Sequence, residues 1–306
     1  RLPTLLERIR RTAAAAIAEA PDVVVLIDSP DFTHRVARKI RAAVPSVPII
    51  DYVSPTVWGW RPGRARAMRA YFDHVLAVLP FEPAAHARLG GPPCSYVGHP
   101  LIERFADLRP RPEDALQREF SRNVLLLPGS RTSEVTRLMP LFGDAAARLA
   151  GEVPGVAFQL PVVPHVRPAV EAAIASWSVK PDLVEGEAGK WQAFRRARAA
   201  LAASGTVTLE LGLSGVPMVA AYRVSALEER IVRAVIQVSS VILPSLILDE
   251  KVVPELLQKD ATAEAMAREL LPLVVGGPAR DAQLAAFERL DRAMQVPHDS
   301  PSAAAA

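Results

Sequence analysis

Residues able to hold a phosphate stand close together in VLLLPGSRTSEV, residues 124–135. Gly129 lets the backbone approach a ligand, Ser130 offers a hydroxyl, and Arg131 offers a permanent planar cation matched to phosphate oxygens. A strand that turns directly into a helix aims free N–H groups beyond its carboxyl end, where an anion is favoured. The plainer alternative is an ordinary strand–helix turn with a solvated arginine. A second turn of the same kind lies in ASGTVTLE, where Ser204, Gly205 and Thr206 follow an apolar run. Glu210 comes one helical turn after Thr206, on the same face, where a carboxylate accepts both hydroxyls of a ribose. Capping hydroxyls and a solvated glutamate are the alternative there. Two such turns in one region point to a nucleoside-diphosphate site. No G-x-G-x-x-G follows a strand, which disfavours a dinucleotide oxidoreductase.

Other chemistry-bearing residues precede these turns. Asp28 directly follows VVVLI and is expected at the mouth of a site, partly desolvated and able to act as a base; a loop-ordering carboxylate is the alternative. Asp31 is read as a helix N-cap. In DYVSPTVWGWRPGRARAMRAY, residues 51–71, Ser54 ends a strand, Trp58 and Trp60 flank a glycine, and Arg61, Arg64, Arg66 and Arg69 follow. Rings beside guanidiniums suit a sugar face with a phosphate, or a membrane interface. Core tryptophans and a wet arginine face are the alternative. The six histidines show no metal spacing, and His99 is read as a satisfied turn residue ahead of one facing a site. No metal is expected. A G-x-S-x-G elbow is absent, which disfavours a serine hydrolase of that type.

Alternating strands and helices must position these groups. An amphipathic helix carries Leu5, Ile9, Ala13 and Ile17, and Val23–Ile27 is read as a buried strand. A helix from Thr33 to about Ala43 and strands at Ile49–Val53, His74–Leu79 and Tyr96–Gly98 follow. Prolines and charges between Pro100 and Arg122 read as a domain boundary. Beyond it, strands are expected at Val124–Leu127, Ala157–Val163, Leu183–Glu185, Ala199–Ala203 and Met218–Tyr222. Helices are expected at Leu227–Gln237, about Val253–Gln258, Ala263–Val275 and Ala279–Met294, with an apolar stretch at Val238–Leu248 and a disordered tail from Pro297. The pattern predicts doubly wound parallel sheets.

Composition narrows the function classes. The 306 residues are half apolar with a formal charge of only +3, so a soluble globular protein is expected and a nucleic-acid partner is not. The single cysteine, Cys94, suits a reducing, cytosolic setting. No run is long enough to span a bilayer, and no signal peptide is visible.

Three groups of motifs, in order, resemble the lipid-A-disaccharide synthase family from about Pro21 to Gln258: DSPDF with YVSPTVWGWRPGR, LPFE with GHPL, and LLPGSR with ASGTVTLE, VPMVAAYR and LQ. The resemblance implies an α/β fold of two Rossmann-like doubly wound parallel-sheet domains, of glycosyltransferase-B type. The first is expected to be incomplete, because the family's opening strand and G-E-x-S-G-D loop are lacking. It divides the chain into an acceptor-binding domain (1–105), a UDP-sugar-binding domain (106–285) and a C-terminal helix with a disordered tail (286–306). The implied reaction is an inverting, metal-independent transfer of 2,3-diacylglucosamine from its UDP donor, UDP-2,3-diacylglucosamine, to 2,3-diacylglucosamine 1-phosphate. The products are the β-1,6 lipid A disaccharide precursor and UDP. Asp28 matches the family's essential aspartate and would take the proton of the acceptor 6-hydroxyl. Gly129, Ser130, Arg131, Ser204, Gly205 and Thr206 would hold the diphosphate and Glu210 the ribose. Ser54, Trp58, Trp60, Arg61 and Arg64 would face acceptor or membrane. No cofactor is implied, since the UDP-sugar is a substrate. Partners are the two lipid sugars and the cytoplasmic face of a Gram-negative inner membrane, with a homodimer admitted. The family's L-P-N is Leu243-Pro244-Ser245 here, which puts any donor contact at Ser245 in question. A UDP-sugar 2-epimerase and an inactive nucleotide- or membrane-binding fragment are the competing readings.

Overall fold

A computed structural model describes residues 2–224, 240–296 and 300–305, with the side chains of residues 2, 105 and 106 excepted. The expected helix Leu227–Gln237, the start of the apolar stretch at Val238, and His298 lie outside the described residues. The described chain forms two compact units, residues 2–102 with 294–296 and 300–305, and residues 103–224 with 240–293.

In the first unit, strands β1 (Val24–Ile27), β2 (Ile49–Tyr52), β3 (His74–Ala77) and β4 (Cys94–Tyr96) form one sheet in that order. All three pairings are parallel. Helices Leu2–Ala18 and Pro30–Ala43 pack on it because Ile9 and Ala13 of one, and Val36, Ala37 and Ile40 of the other, recur at helical spacing. They bury Val24, Ile49, Met68 and Phe72 between them. The first strand departs from expectation. Val23, Val25 and Ile27 are exposed while Val24 is buried, so β1, the end strand of the four, has one wet face here and is not buried on both. An apolar run alone does not distinguish the two.

The second unit has six parallel strands: β5 (Asn123–Leu127), β6 (Ala157–Val162), β7 (Asp182–Glu185), β8 (Ala199–Ala203), β9 (Met218–Tyr222) and β10 (Glu255–Leu257). Their order is β10-β9-β8-β5-β6-β7, so the chain starts in the middle, runs to one edge, and returns to build the other half. Between β5 and β8 the winding reverses. At such a switch point the two following helices diverge and leave a crevice at the carboxyl edge. The central strands are covered on both faces, which is why β8 is made of five buried small and apolar residues. The long helix Thr132–Glu152 buries Val135, Leu138, Met139, Phe142 and Leu149 against the sheet. Truncating Phe142 there would cost about 3–5 kcal/mol.

Three local expectations are corrected. The helix expected about Val253–Gln258 is instead strand β10, paired Glu255 to Ala220 and Leu257 to Tyr222. Val252 and Val253 before Pro254 favour extended backbone, and the open edge of β9 supplies the hydrogen bonds. The division between the units, after Ile102, falls within the charged stretch read as a boundary, but that stretch is no exposed linker: it contains helix Pro112–Phe120, whose Asp114 and Arg118 are buried. Arg118 donates to the carbonyls of Phe194, Arg195, Ser214 and Gly215, so a charge that suggested solvent is a tie inside the unit. Residues expected to form a disordered tail include the short helix Pro301–Ala305, with Pro301 buried; Tyr96 Oη donates to the Met294 carbonyl nearby in the chain's final stretch at 2.6 Å.

Candidate active site

A cavity of about 720 Å³ opens at the carboxyl edge of the six-stranded sheet. Its wall contains all seven residues singled out in the two glycine turns: Gly129, Ser130, Arg131, Ser204, Gly205, Thr206 and Glu210. They converge because β5 and β8 are neighbours in the sheet, each ending in a glycine turn at the switch point. Gly129 has φ +109° and Gly205 φ +142°, backbone that L-residues with side chains rarely adopt. A β-carbon at Gly129 would collide with the Glu134 side chain. The helices Thr132–Glu152 and Thr206–Leu213 begin at these turns, so their amino-terminal partial positive charge falls at the cavity.

The side chains are arranged less simply than the spacing suggests. Arg131, not a threonine or serine, is the N-cap of its helix, and its guanidinium pairs with Glu134 at 3.0 Å while remaining largely exposed. Glu134 Oε2 also accepts from the Arg131 backbone N–H at 3.3 Å. Ser204 Oγ donates to the Val241 carbonyl at 2.8 Å, so this hydroxyl is already committed as a donor. Ser130 receives His165 Nε2 on its carbonyl at 2.7 Å. Glu210 carries an ion pair with Lys190 at 2.6 Å. Lys190, Glu134, Arg167 and Glu187 line the same cavity and were not anticipated from the sequence. A third turn at Glu185-Gly186-Glu187, where β7 ends and a helix starts with Gly186 at φ +71°, is the signal that would have found two of them.

In the first unit, the carboxyl ends of the parallel strands β1 and β2 are adjacent, and unusual backbone gathers there. Asp28 (φ +51°), Ser29 (φ +50°), Val53 (φ +75°) and Arg61 (φ +53°) are all left-handed without being glycine. Such conformations persist only where surrounding bonds impose them, and they concentrate at functional sites. Asp28 is held by its N–H to the Tyr52 carbonyl at 3.0 Å and by its carbonyl, which accepts from Thr33 Oγ1 at 2.7 Å. Its carboxylate is exposed, in contrast to the partly desolvated group expected. The helix starts at Pro30 with Ser29 as N-cap, so Asp31 is inside the first turn and pairs with Arg64 at 3.0 Å.

The Trp/Arg segment divides into two kinds of residue. Ser54 is buried and hydrogen-bonded to His86 Nε2 at 2.8 Å, so its hydroxyl does not face solvent. Trp58 is half-buried, edge-on to Phe81, and donates Nε1 to Glu82 at 3.2 Å. Trp60 is exposed, with the Arg61 guanidinium 4.8 Å from its ring centre. Arg66 and Arg69 are exposed. Behind the segment lie buried ionisable groups. Burial pushes the Glu82 carboxyl up to about 7 despite the hydrogen bonds from Leu79 N–H and Trp58. Burial also raises Asp51, opposed by His34 at 3.7 Å. Cys94 is pushed up to about 12 by burial and by Glu82, a thiol suited to packing and not to nucleophilic chemistry. His99 accepts from the Leu101 N–H at 3.1 Å, and burial lowers it to about 4, in keeping with a turn residue. Among the described residues no group of three or more His, Cys, Asp or Glu is placed to hold a metal ion, and no helix is long and apolar enough to cross a membrane.

Solved structures share this architecture at low sequence identity. UDP-GlcNAc 2-epimerase from Neisseria meningitidis bound to UDP-GlcNAc aligns with a TM-score of 0.60 at 12% identity, covering 94% of this chain and 81% of the other. MurG of Acinetobacter baumannii aligns at 0.55 and 14% identity, covering 96% and 79%. These likenesses establish a glycosyltransferase-B-type α/β fold with parallel sheets and nothing finer. Sequence comparison reaches further. A lipid-A-disaccharide synthase of Rhodopseudomonas palustris (strain BisB18) is 56% identical over 309 residues, covering all of this chain and 78% of the relative. Another, of Bradyrhizobium diazoefficiens, is 54% identical over 306 residues with the same coverage. The family model for lipid-A-disaccharide synthetase matches residues 1–304. With that match and those identities, the chain belongs to the lipid-A-disaccharide synthase family of glycosyltransferases.

Proposed function

We propose that the cavity of the second unit receives the UDP moiety of UDP-2,3-diacylglucosamine and that Asp28 activates 2,3-diacylglucosamine 1-phosphate. The observation that carries this reading is the convergence of two glycine turns, two helix amino termini, Arg131 and Glu210 on one cavity at the switch point. Backbone N–H groups of residues 129, 130 and 204–206 meet the diphosphate, and the Arg131 guanidinium leaves Glu134 to pair with it. Preorganised donors of this kind stabilise the charge that grows on a leaving group. Glu210 accepts the ribose hydroxyls. Asp28 takes the proton of the acceptor 6-hydroxyl as that oxygen attacks the donor anomeric carbon. The bond from that carbon to the UDP oxygen breaks, and UDP departs with the electron pair. Attack opposite the leaving group inverts the anomeric centre to the β-1,6 linkage. The chemistry uses side chains and amides where other transferases use a cation.

Exposed Trp60 with Arg61, and the neighbouring arginines, suit a phosphate and anionic lipid heads at the cytoplasmic face of the inner membrane. Buried Ser54 and half-buried Trp58 support that segment from beneath. The test is UDP release from UDP-2,3-diacylglucosamine with and without the lipid acceptor. Release that requires the acceptor and yields the disaccharide supports transfer. Release that ignores the acceptor supports the epimerase-type alternative on the same fold.

A further inference from the structure

The cavity holds a feature that nucleotide-binding turns do not by themselves explain: a carboxylate tied to a lysine on a different wall. Lys190 belongs to helix Gly186–Arg196, which follows β7 at one edge of the sheet; Glu210 belongs to helix Thr206–Leu213, which follows β8 across the switch point. Their ion pair, Nζ to Oε2 at 2.6 Å, therefore joins the two halves of the doubly wound sheet above the cavity floor. The Glu210 side chain is only 14% exposed and that of Lys190 27%. Lys190 Nζ also lies 4.3 Å from the centre of the Trp191 ring, which fixes the ammonium from a second direction.

An unpaired carboxylate in this cavity would stand free to swing and would face an entering diphosphate with its own negative charge. The Lys190 ammonium holds it in place and offsets that charge. It engages Oε2 and, among the described residues, leaves Oε1 without a hydrogen bond, so an acceptor oxygen remains for a diol. We propose that Lys190 is a positioning residue of the donor site: it holds the Glu210 carboxylate in one orientation, and thereby sets the preference for a ribonucleotide over its 2′-deoxy counterpart. This rests on the donor reading above.

The test is calorimetric titration of UDP and of 2′-deoxy-UDP into the wild-type chain and into Lys190→Met, Lys190→Arg and Glu210→Ala. The wild type is expected to favour UDP by about tenfold or more, the size of one charge-assisted hydrogen bond. Lys190→Met should reduce that ratio to about twofold or less, Lys190→Arg should keep most of it, and Lys190→Met added to Glu210→Ala should change the ratio no further. If Lys190→Met does not fold, Lys190→Gln carries the same test, since it keeps a donor and loses the charge. A variant that binds both ligands more weakly with the ratio intact gives Lys190 a merely structural role and overturns the proposal, as does a wild type indifferent to the 2′-hydroxyl. UDP that fails to bind the wild type, or binds unaffected by Arg131→Ala, overturns the donor reading and the role of Lys190 with it.

Discussion

The carboxyl edges of the two sheets solve different problems. In the second unit the edge is built from backbone: glycine turns after adjacent strands, helix amino termini, and a cavity walled by short loops. In the first unit it is built from side chains over strained, non-glycine backbone, with Asp28 exposed and Asp51, Glu82, His34 and His86 buried behind it. A nucleotide diphosphate is much the same ligand in every donor, so amides suffice to hold it. An acceptor must be both held and deprotonated, which needs particular side chains in particular places. On the proposed reading, the contrast puts much of the holding in main-chain geometry at the second unit and the activation in the Asp28 side chain at the first.

Four measurements would break or sharpen that contrast. Asp28→Asn should lower kcat about 10²–10⁴-fold, the usual contribution of a general base, with UDP affinity unchanged. Activity within tenfold of wild type would move the base elsewhere. Arg118→Met strips four carbonyls of their donor in the second unit and should destabilise it by about 2–4 kcal/mol in urea unfolding. A neutral outcome would mean that water replaces the guanidinium. Arg131→Ala should weaken UDP binding about tenfold and no more than about a hundredfold, because the amide groups of both turns remain. Complete loss of binding would show that the side chain, not the backbone, dominates the donor edge.

The last measurement concerns pH. The Glu82 carboxyl stands at about 7 in the folded protein against 4.5 unfolded, raised chiefly by burial. Between those values the folded state holds a proton that the unfolded state has lost. Its contribution to stability is therefore fully present below pH 4.5 and is lost as pH rises through about 7. The loss amounts to about 3 kcal/mol at most. Glu82→Gln should flatten the fall in melting temperature across this window relative to wild type. An unchanged slope would assign the pH dependence to Asp51 or to another group.

Much of this molecule is readable before any fold is drawn. Eight of the ten strands overlap most of an expected one, because a strand in a parallel sheet carries a short apolar run; β4 meets the expected Tyr96–Gly98 only at Tyr96, and β10 stands where a helix is expected. The two glycine turns are equally plain, since a glycine just after an apolar run and before a helix start marks a tight strand–helix turn. Misreadings arose where burial, not residue type, decides the role. Arg118 and Asp114 appear as linker charges in one dimension and become internal ties in three. Ser54 and Trp58 read as part of an exposed face and are instead tied to His86 and Glu82, while β1 is apolar yet half wet. The three-residue strand β10 carries too short a pattern to show a period and exists because β9 offers it an edge.

The sequence by itself determined which segments become strands and helices, where the glycine turns fall, and which family the motifs resemble, because those depend on local spacing and on neighbours along the chain. Only the tertiary structure decided that β5 and β8 lie side by side, that Lys190 reaches Glu210, and which charged groups are shielded from water. Strand order and burial come from contacts between residues far apart in the chain, and one sequence read in isolation carries no record of those distances.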